Sequence, residues 1–207
     1  DGRLTSGGDV AGGIVGNTPK RCTLVFNNCL NTGSVSGDKQ VGGLLGKINT
    51  NWYEAGWQKD KWVFNNCLNV GQVKTTGTVK DYSVAGGIVG SIATNAISLT
   101  LNNTYTTGTK ACGYYYTSTE AATIAKFESD AVLKSREEIV NIGKVILFPE
   151  STEWVDDIVY NDTDRGTPIL AFYAEDWFER NPATGLTERI SWYSDEEPEF
   201  TLTIRKP

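Results

Sequence analysis

Histidine is absent from the 207 residues, cysteine occurs four times and proline six. Without histidine the chain lacks the commonest general base and the commonest metal ligand. Zinc sites of mixed Cys/His type are excluded. Cys22, Cys29, Cys67 and Cys112 also lack the paired C-x-x-C spacing of an all-cysteine site. Four cysteines are too few to staple a chain this long, so a hydrophobic core must carry the fold. No apolar run reaches the roughly 18–20 residues of a membrane span. No basic stripe stands out, which argues against nucleic acid as a partner. A basic-then-apolar leader is also missing, and the first residue is Asp1. These features suggest a trimmed fragment of a longer exported product.

Charge is unevenly spread. Residues 1–149 carry 14 Lys/Arg and 11 Asp/Glu, whereas residues 150–207 carry 5 and 14. An acidic end of this kind reads as a solvated surface. Glycine, by contrast, is plentiful, at 22 residues, above the usual share of about 7%.

Much of that glycine sits in a repeat. Val10-Ala-Gly-Gly-Ile-Val-Gly16, Val41-Gly-Gly-Leu-Leu-Gly46 and Val84-Ala-Gly-Gly-Ile-Val-Gly90 align by eye. Each precedes a second element: Phe26-Asn-Asn-Cys-Leu-Asn-Thr-Gly33, Phe64-Asn-Asn-Cys-Leu-Asn-Val-Gly71 and Leu101-Asn-Asn-Thr-Tyr-Thr-Thr-Gly108. A two-part pattern in three copies over residues 10–110 implies stacked units, because one copy buries too little apolar surface to fold alone. The expected fold is mainly β: a β-solenoid of three Gly/Asn-rich repeats with a small α+β C-terminal cap and a hairpin. Val10, Ile14, Val41, Leu44, Val84 and Ile88 are expected to point inward, with Ile14, Leu44 and Ile88 in one column. The glycine doublets permit positive φ and close backbone approach. The asparagines suit corners and can stack into hydrogen-bonded ladders. Cys29 and Cys67 occupy the same place in successive copies, with Thr104 third. They read as small semi-buried thiols, and a disulfide requires their Cα atoms to lie within about 7 Å.

These paired elements resemble GLUG-motif repeats, which occur in large secreted or surface-anchored bacterial proteins, adhesin-like ones among them. The resemblance implies a β-solenoid at the cell surface or secreted, and carries over no catalytic residue. Thr104 and Tyr105 depart from the pattern in the third copy, as does a Trp-rich insertion in the second.

Three parts follow: repeats over residues 1–117, a cap over 118–174, and a hairpin or the start of another domain over 175–207. In the cap, Thr119–Phe127 and Ser135–Ile142 read as short helices, with Ser135 and Glu138 forming a capping box. Trp154 and Gly166-Thr-Pro-Ile-Leu170 complete it. The hairpin joins Arg189–Tyr193 to Phe200–Arg205, by alternation of apolar and polar residues.

Few residues suggest chemistry. The Asn161-Asp-Thr-Asp-Arg-Gly166 stretch has alternating oxygen ligands but lacks the distal acid of a calcium loop, and reads as an Asx-type turn. No metal or cofactor is expected. Trp52, Tyr53, Trp57 and Trp62 form an aromatic series on the insertion. They read either as a contact for a host or neighbouring-cell glycan or protein, or as a hydrophobic cluster folded against the repeats. The expected function is therefore non-catalytic: adhesion or ligand display by an exported bacterial surface protein. A glycan-cleaving β-helical enzyme and a purely structural spacer are the alternatives.

Overall fold

In the computed structural model the chain is mainly β, built on parallel sheets with two helices. The structure describes residues 3–5, 9–18, 23–49, 60–78, 83–93, 97–116, 121–156, 167–171, 178–180 and 187–189.

Three sets of strands follow the three copies of the repeat. The first comprises β1 (Arg3–Thr5), β2 (Val10–Gly12), β3 (Val15–Asn17), β4 (Thr23–Asn27) and β5 (Leu30–Asn31). The second comprises β6 (Ser34–Gly37), β7 (Gln40–Gly42), β8 (Leu45–Asn49) and β9 (Asp60–Asn69). The third comprises β10 (Val73–Thr75), β11 (Val84–Gly86), β12 (Val89–Ala93) and β13 (Ile97–Thr106). Three further strands lie among β14 (Cys112–Tyr115), α1 (Ala121–Asp130), β15 (Val132–Leu133), α2 (Arg136–Leu147) and β16 (Trp154–Val155). Each strand lies beside its counterpart from the next set, giving the orders β1-β6-β10, β2-β7-β11, β3-β8-β12-β14 and β4-β9-β13-β15. Every pairing in these four sheets is parallel.

Register follows the repeat. Asn27 pairs with Asn65 and Asn65 with Asn102, and their side chains form a ladder, Nδ2 to Oδ1 at 2.8 Å at both steps. Asn28, Asn66 and Asn103 take the left-handed conformation at φ 52, 52 and 45°, which asparagine tolerates. A second, buried ladder joins Asn31 to Asn69 at 2.7 Å and Asn69 to the Thr106 hydroxyl at 3.2 Å. Apolar columns alternate with the amides: Leu24, Trp62 and Leu99 share one register, and Phe26, Phe64 and Leu101 another. The Phe26 and Phe64 rings stack with centroids 4.5 Å apart.

The glycine doublets act through close approach and not through positive φ; among the described glycines only Gly143 has φ in that range. A Cβ on Gly43 would lie 2.1 Å from the Gly87 carbonyl oxygen, and one on Gly13 2.2 Å from that of Gly43. Contacts that short leave no room for a side chain, so the tips of successive repeats can stack only as glycine.

Two expectations for inward residues need correction. The structural counterpart of Val10 and Val84 is Gln40, while Ala11, Val41 and Ala85 align with one another. Val41 and Ala11 are therefore buried, and Val10 and Val84 are only half-buried. Ile14, Leu44 and Ile88 do line up, with the Ile14 N–H donating to the Leu44 carbonyl and the Leu44 N–H to that of Ile88. Yet Ile14 is 45% exposed, while the other two are fully buried. Among the described residues the first set is the sheet edge, so Ile14 has a neighbouring repeat on one side only.

At the other end a partial fourth copy begins. Ala111 accepts from the Ile88 and Val89 N–H groups, and Cys112 aligns with Val89. Phe127 of α1 is buried against the main core, beside Tyr115. Ser135 and Glu138 form the expected capping box at the start of α2. Gly143 breaks α2 one residue past the expected end, and a last turn follows. Ile139, Leu147, Phe148 and Trp154 then close over Leu68 and Tyr105 in a second core. The departure at Tyr105 is explained here: its hydroxyl donates to the Leu147 carbonyl at 3.1 Å, and its ring meets Phe148 edge-on. Trp154 pairs with Leu170 of β17 (Ile169–Leu170) in an antiparallel ladder. Another antiparallel pair joins β18 (Phe178–Arg180) and β19 (Thr187–Arg189). Of the hairpin expected over Arg189–Tyr193 and Phe200–Arg205 only Arg189 is described, as the last residue of β19, and the stretch 161–166 lies outside the described residues.

Candidate binding cleft

Each glycine doublet turns the chain from a strand of the second sheet into a strand of the third. The two sheets meet closely: a Cβ on Gly46 would lie 2.6 Å from the Ala11 carbonyl oxygen. Side chains at the open side of this arch therefore project around a common space. A cleft of about 440 Å³ lies there, lined by Asp9, Val10, Asn17, Lys39, Gln40, Lys47 and Tyr116. That volume falls within the roughly 300–1,000 Å³ of small-ligand sites.

Asp9, Val10, Lys39 and Gln40 come from the starts of β2 and β7, and Asn17 and Lys47 from β3 and β8. Tyr116 follows β14 and is anchored by its N–H donating to the Ile92 carbonyl at 2.9 Å. The buried Gln40 donates from Nε2 to the Tyr116 hydroxyl at 2.8 Å, tying the second repeat to the fourth, partial one. Tyr114 meets Tyr116 edge-on, centroids 5.1 Å apart. Tyr115, between them, packs the other way, toward Phe127.

The charges in the cleft are unequally matched. Lys39 Nζ lies 2.8 Å from Asp9 Oδ1. Hydrogen bonding to Asp9, and then its negative charge, holds the Lys39 ammonium above its ordinary pKa. Lys47 has no carboxylate partner among the described residues; its ammonium lies 5.3 Å from the centroid of the Tyr116 ring. The cleft thus presents one cation without an anion, two amide side chains and a tyrosine.

Of the aromatic series on the insertion, Trp62 must be withdrawn as a contact residue. It is fully buried, packed in the core in register with Leu24 and Leu99. Trp52, Tyr53 and Trp57 lie outside the described residues. No sequence motif marked the cleft, whose members stand far apart in the chain. The available signals were Lys47 directly after the repeat's last glycine and the Tyr114-Tyr-Tyr116 run.

Among the described residues no three acidic or thiol groups are grouped as a metal site would need. No helix there is long and apolar enough to cross a membrane. In comparisons with family models, curated proteins and solved structures, nothing matches this chain.

Proposed function

We propose that this chain is a non-catalytic β-solenoid module of an exported bacterial surface protein, of the kind GLUG-motif repeats build, and that it binds and displays a ligand. The observation that carries this reading is register: three copies of one motif pair in parallel in all four sheets, at the offset of the repeat itself. Winding of the chain once per repeat accounts for that pairing, for the amide ladders and for the glycine contacts together. Such a stack is stiff, because each repeat shares its core and hydrogen bonds with its neighbours.

The cleft supports binding without turnover. Glycoside cleavage needs two carboxyl groups about 5–10 Å apart. The cleft has one, Asp9, and Lys39 neutralises it. Amides and tyrosine side chains suit the hydroxyls and rings of a saccharide or the polar groups of a peptide. The unmatched Lys47 favours a ligand bearing a negative charge, such as a host or neighbouring-cell glycan carrying a carboxylate, or an acidic protein segment. Trp52, Tyr53 and Trp57 remain candidates for a second contact on the insertion.

An array of neutral and acidic glycans, with products analysed for shortening, tests this. Binding to acidic members without shortening, weakened at least tenfold by Lys47→Ala with Tyr116→Ala, is expected. Shortened products would replace this reading with the enzyme. Silence on glycan and protein arrays alike would leave only the spacer.

A further inference from the structure

We propose that Cys29 and Cys67 are a thiol pair that a low-molecular-weight disulfide, such as oxidised glutathione, converts to a cross-link between the first and second repeats. Both are free thiols. They face one another across parallel strands: Asn27 pairs with Asn65 before them, Leu30 with Leu68 after them, and the Leu68 N–H donates to the Cys29 carbonyl at 2.8 Å. Such strands run about 4.8 Å apart, inside the roughly 4.4–6.8 Å Cα separation of disulfides. The next residue in the column is Thr104, whose hydroxyl lies 3.2 Å from the Asn102 carbonyl oxygen, as the Cys67 sulfur lies 3.3 Å from that of Asn65. The column therefore holds a single pair of thiols, at the sheet edge.

The two thiols differ in access and acidity. Cys29 is half-buried on the edge set, and Cys67 is fully buried. Interaction with the neighbouring Cys67 thiol holds Cys29 below the ordinary thiol value. The same interaction, with burial, pushes Cys67 up. Cys29 is thus the attacking group and Cys67 the resolving one. The Cys29 thiolate attacks one sulfur of the small disulfide, forming a mixed disulfide and releasing one thiolate. The Cys67 thiol then loses its proton to that thiolate and attacks the Cys29 sulfur, releasing the second. Two protein thiols and one small disulfide become one protein disulfide and two small thiols; the two electrons pass to the reagent. Cys112 offers a contrast: burial pushes it up to about 12.

The test uses the full chain, incubated with oxidised glutathione, alkylated after unfolding and digested without reduction for mass spectrometry. A peptide joining Cys29 to Cys67, with intact mass lower by two hydrogens and no glutathione retained, is expected. Cys67→Thr, the residue the third repeat carries here, should instead keep one glutathione on Cys29. Glutathione left on Cys29 of the native chain, a cross-link to Cys22 or Cys112, or an unmodified Cys29 would each overturn the proposal. This outcome is independent of whether the cleft binds anything.

Discussion

The two ends of the stacked sheets are finished differently. At the first end, β2, β3 and β4 are edge strands, and Ile14 and Val25 are 45% and 53% exposed. At the other end, β13 is covered by β15 and α1, and the α2 segment closes over Tyr105 and Leu68. The glycine element is identical in the first and third copies, Val-Ala-Gly-Gly-Ile-Val-Gly, whereas the second element differs at four of eight positions, among them the residue that meets α2. Leu30 and Leu68 give way to Tyr105 in the same column, and the added hydroxyl reaches a carbonyl of α2. The Tyr105 hydroxyl thus adds a bond to α2 in the third copy, whereas Ile14, at the edge of the described strands, is exposed where Leu44 and Ile88 are buried.

The sharpest way to break this comparison is truncation at each end. Phe148 is fully buried, stacked on Trp154 and edge-on to Tyr105. Phe148→Ala is expected to cost about 3–5 kcal/mol through lost burial and the cavity left behind. Ile14→Ala should cost about 1 kcal/mol or less, since much of that side chain already meets water. Urea unfolding of both variants measures the difference. Equal costs would mean that the first end is covered in solution as well as the second.

The amide ladders give the next largest contrast. Asn69 sits in the buried ladder, accepting from Asn31 and donating to Thr106 and to the Gly71 carbonyl. Asn69→Ala strands a buried donor on Asn31, for an expected loss of about 2–3 kcal/mol. Asn65, in the outer ladder, has water to replace its partners, so Asn65→Ala should cost about 0.5–1 kcal/mol. The same unfolding assay orders them, and the reverse order would show that the outer ladder holds the stack. Below the Asn69 effect comes Tyr105→Phe, which removes only the bond to Leu147. About 1 kcal/mol is expected, read as faster amide exchange confined to α2 and its surroundings. Loss spread evenly over the first repeat would deny the α2 segment a local role.

Much of this fold was legible because repetition carries its own register. The Phe-Asn-Asn element gave the period, the Asn ladders and the glycine stacking, and Ser135 with Glu138 marked α2. The Val10–Gln40 alignment was missed because a polar residue stands in an apolar motif; Gln40 is buried since Tyr116 accepts its amide hydrogen bond. Trp62 was misread through its spacing from Trp52 and Trp57. The better signal was alternation: Trp62 and Phe64 take the places of Leu24 and Phe26, both turned inward. The cleft was invisible in the sequence because it joins Asp9, Lys39 and Tyr116, and Tyr116 arrives only through β14, a copy that has lost its glycine doublet.

Acid should affect the two ends unequally, by the smallest of these effects. Glu138 closes the capping box by accepting from the Ser135 N–H, while the Ser135 hydroxyl accepts from the Glu138 N–H at 3.1 Å. The bond to the Ser135 backbone, and then to its side chain, holds the Glu138 carboxyl below its ordinary value of 4.5. A carboxyl more acidic in the folded state adds stability in full above its unfolded value, and loses it as pH falls through the folded one. Below pH 4.5 the first turn of α2 should therefore loosen, seen as faster exchange of the Glu138 and Ile139 amides after correction for intrinsic rates. The Ile14 amide, bonded to the Leu44 carbonyl with no titrating group in that bond, should not follow. Glu138→Gln keeps an oxygen acceptor at the same reach but cannot titrate, so it should abolish the acid step while leaving the helix in place. An acid response in α2 that survives this substitution would assign the step to another group and leave the capping box a geometric feature alone.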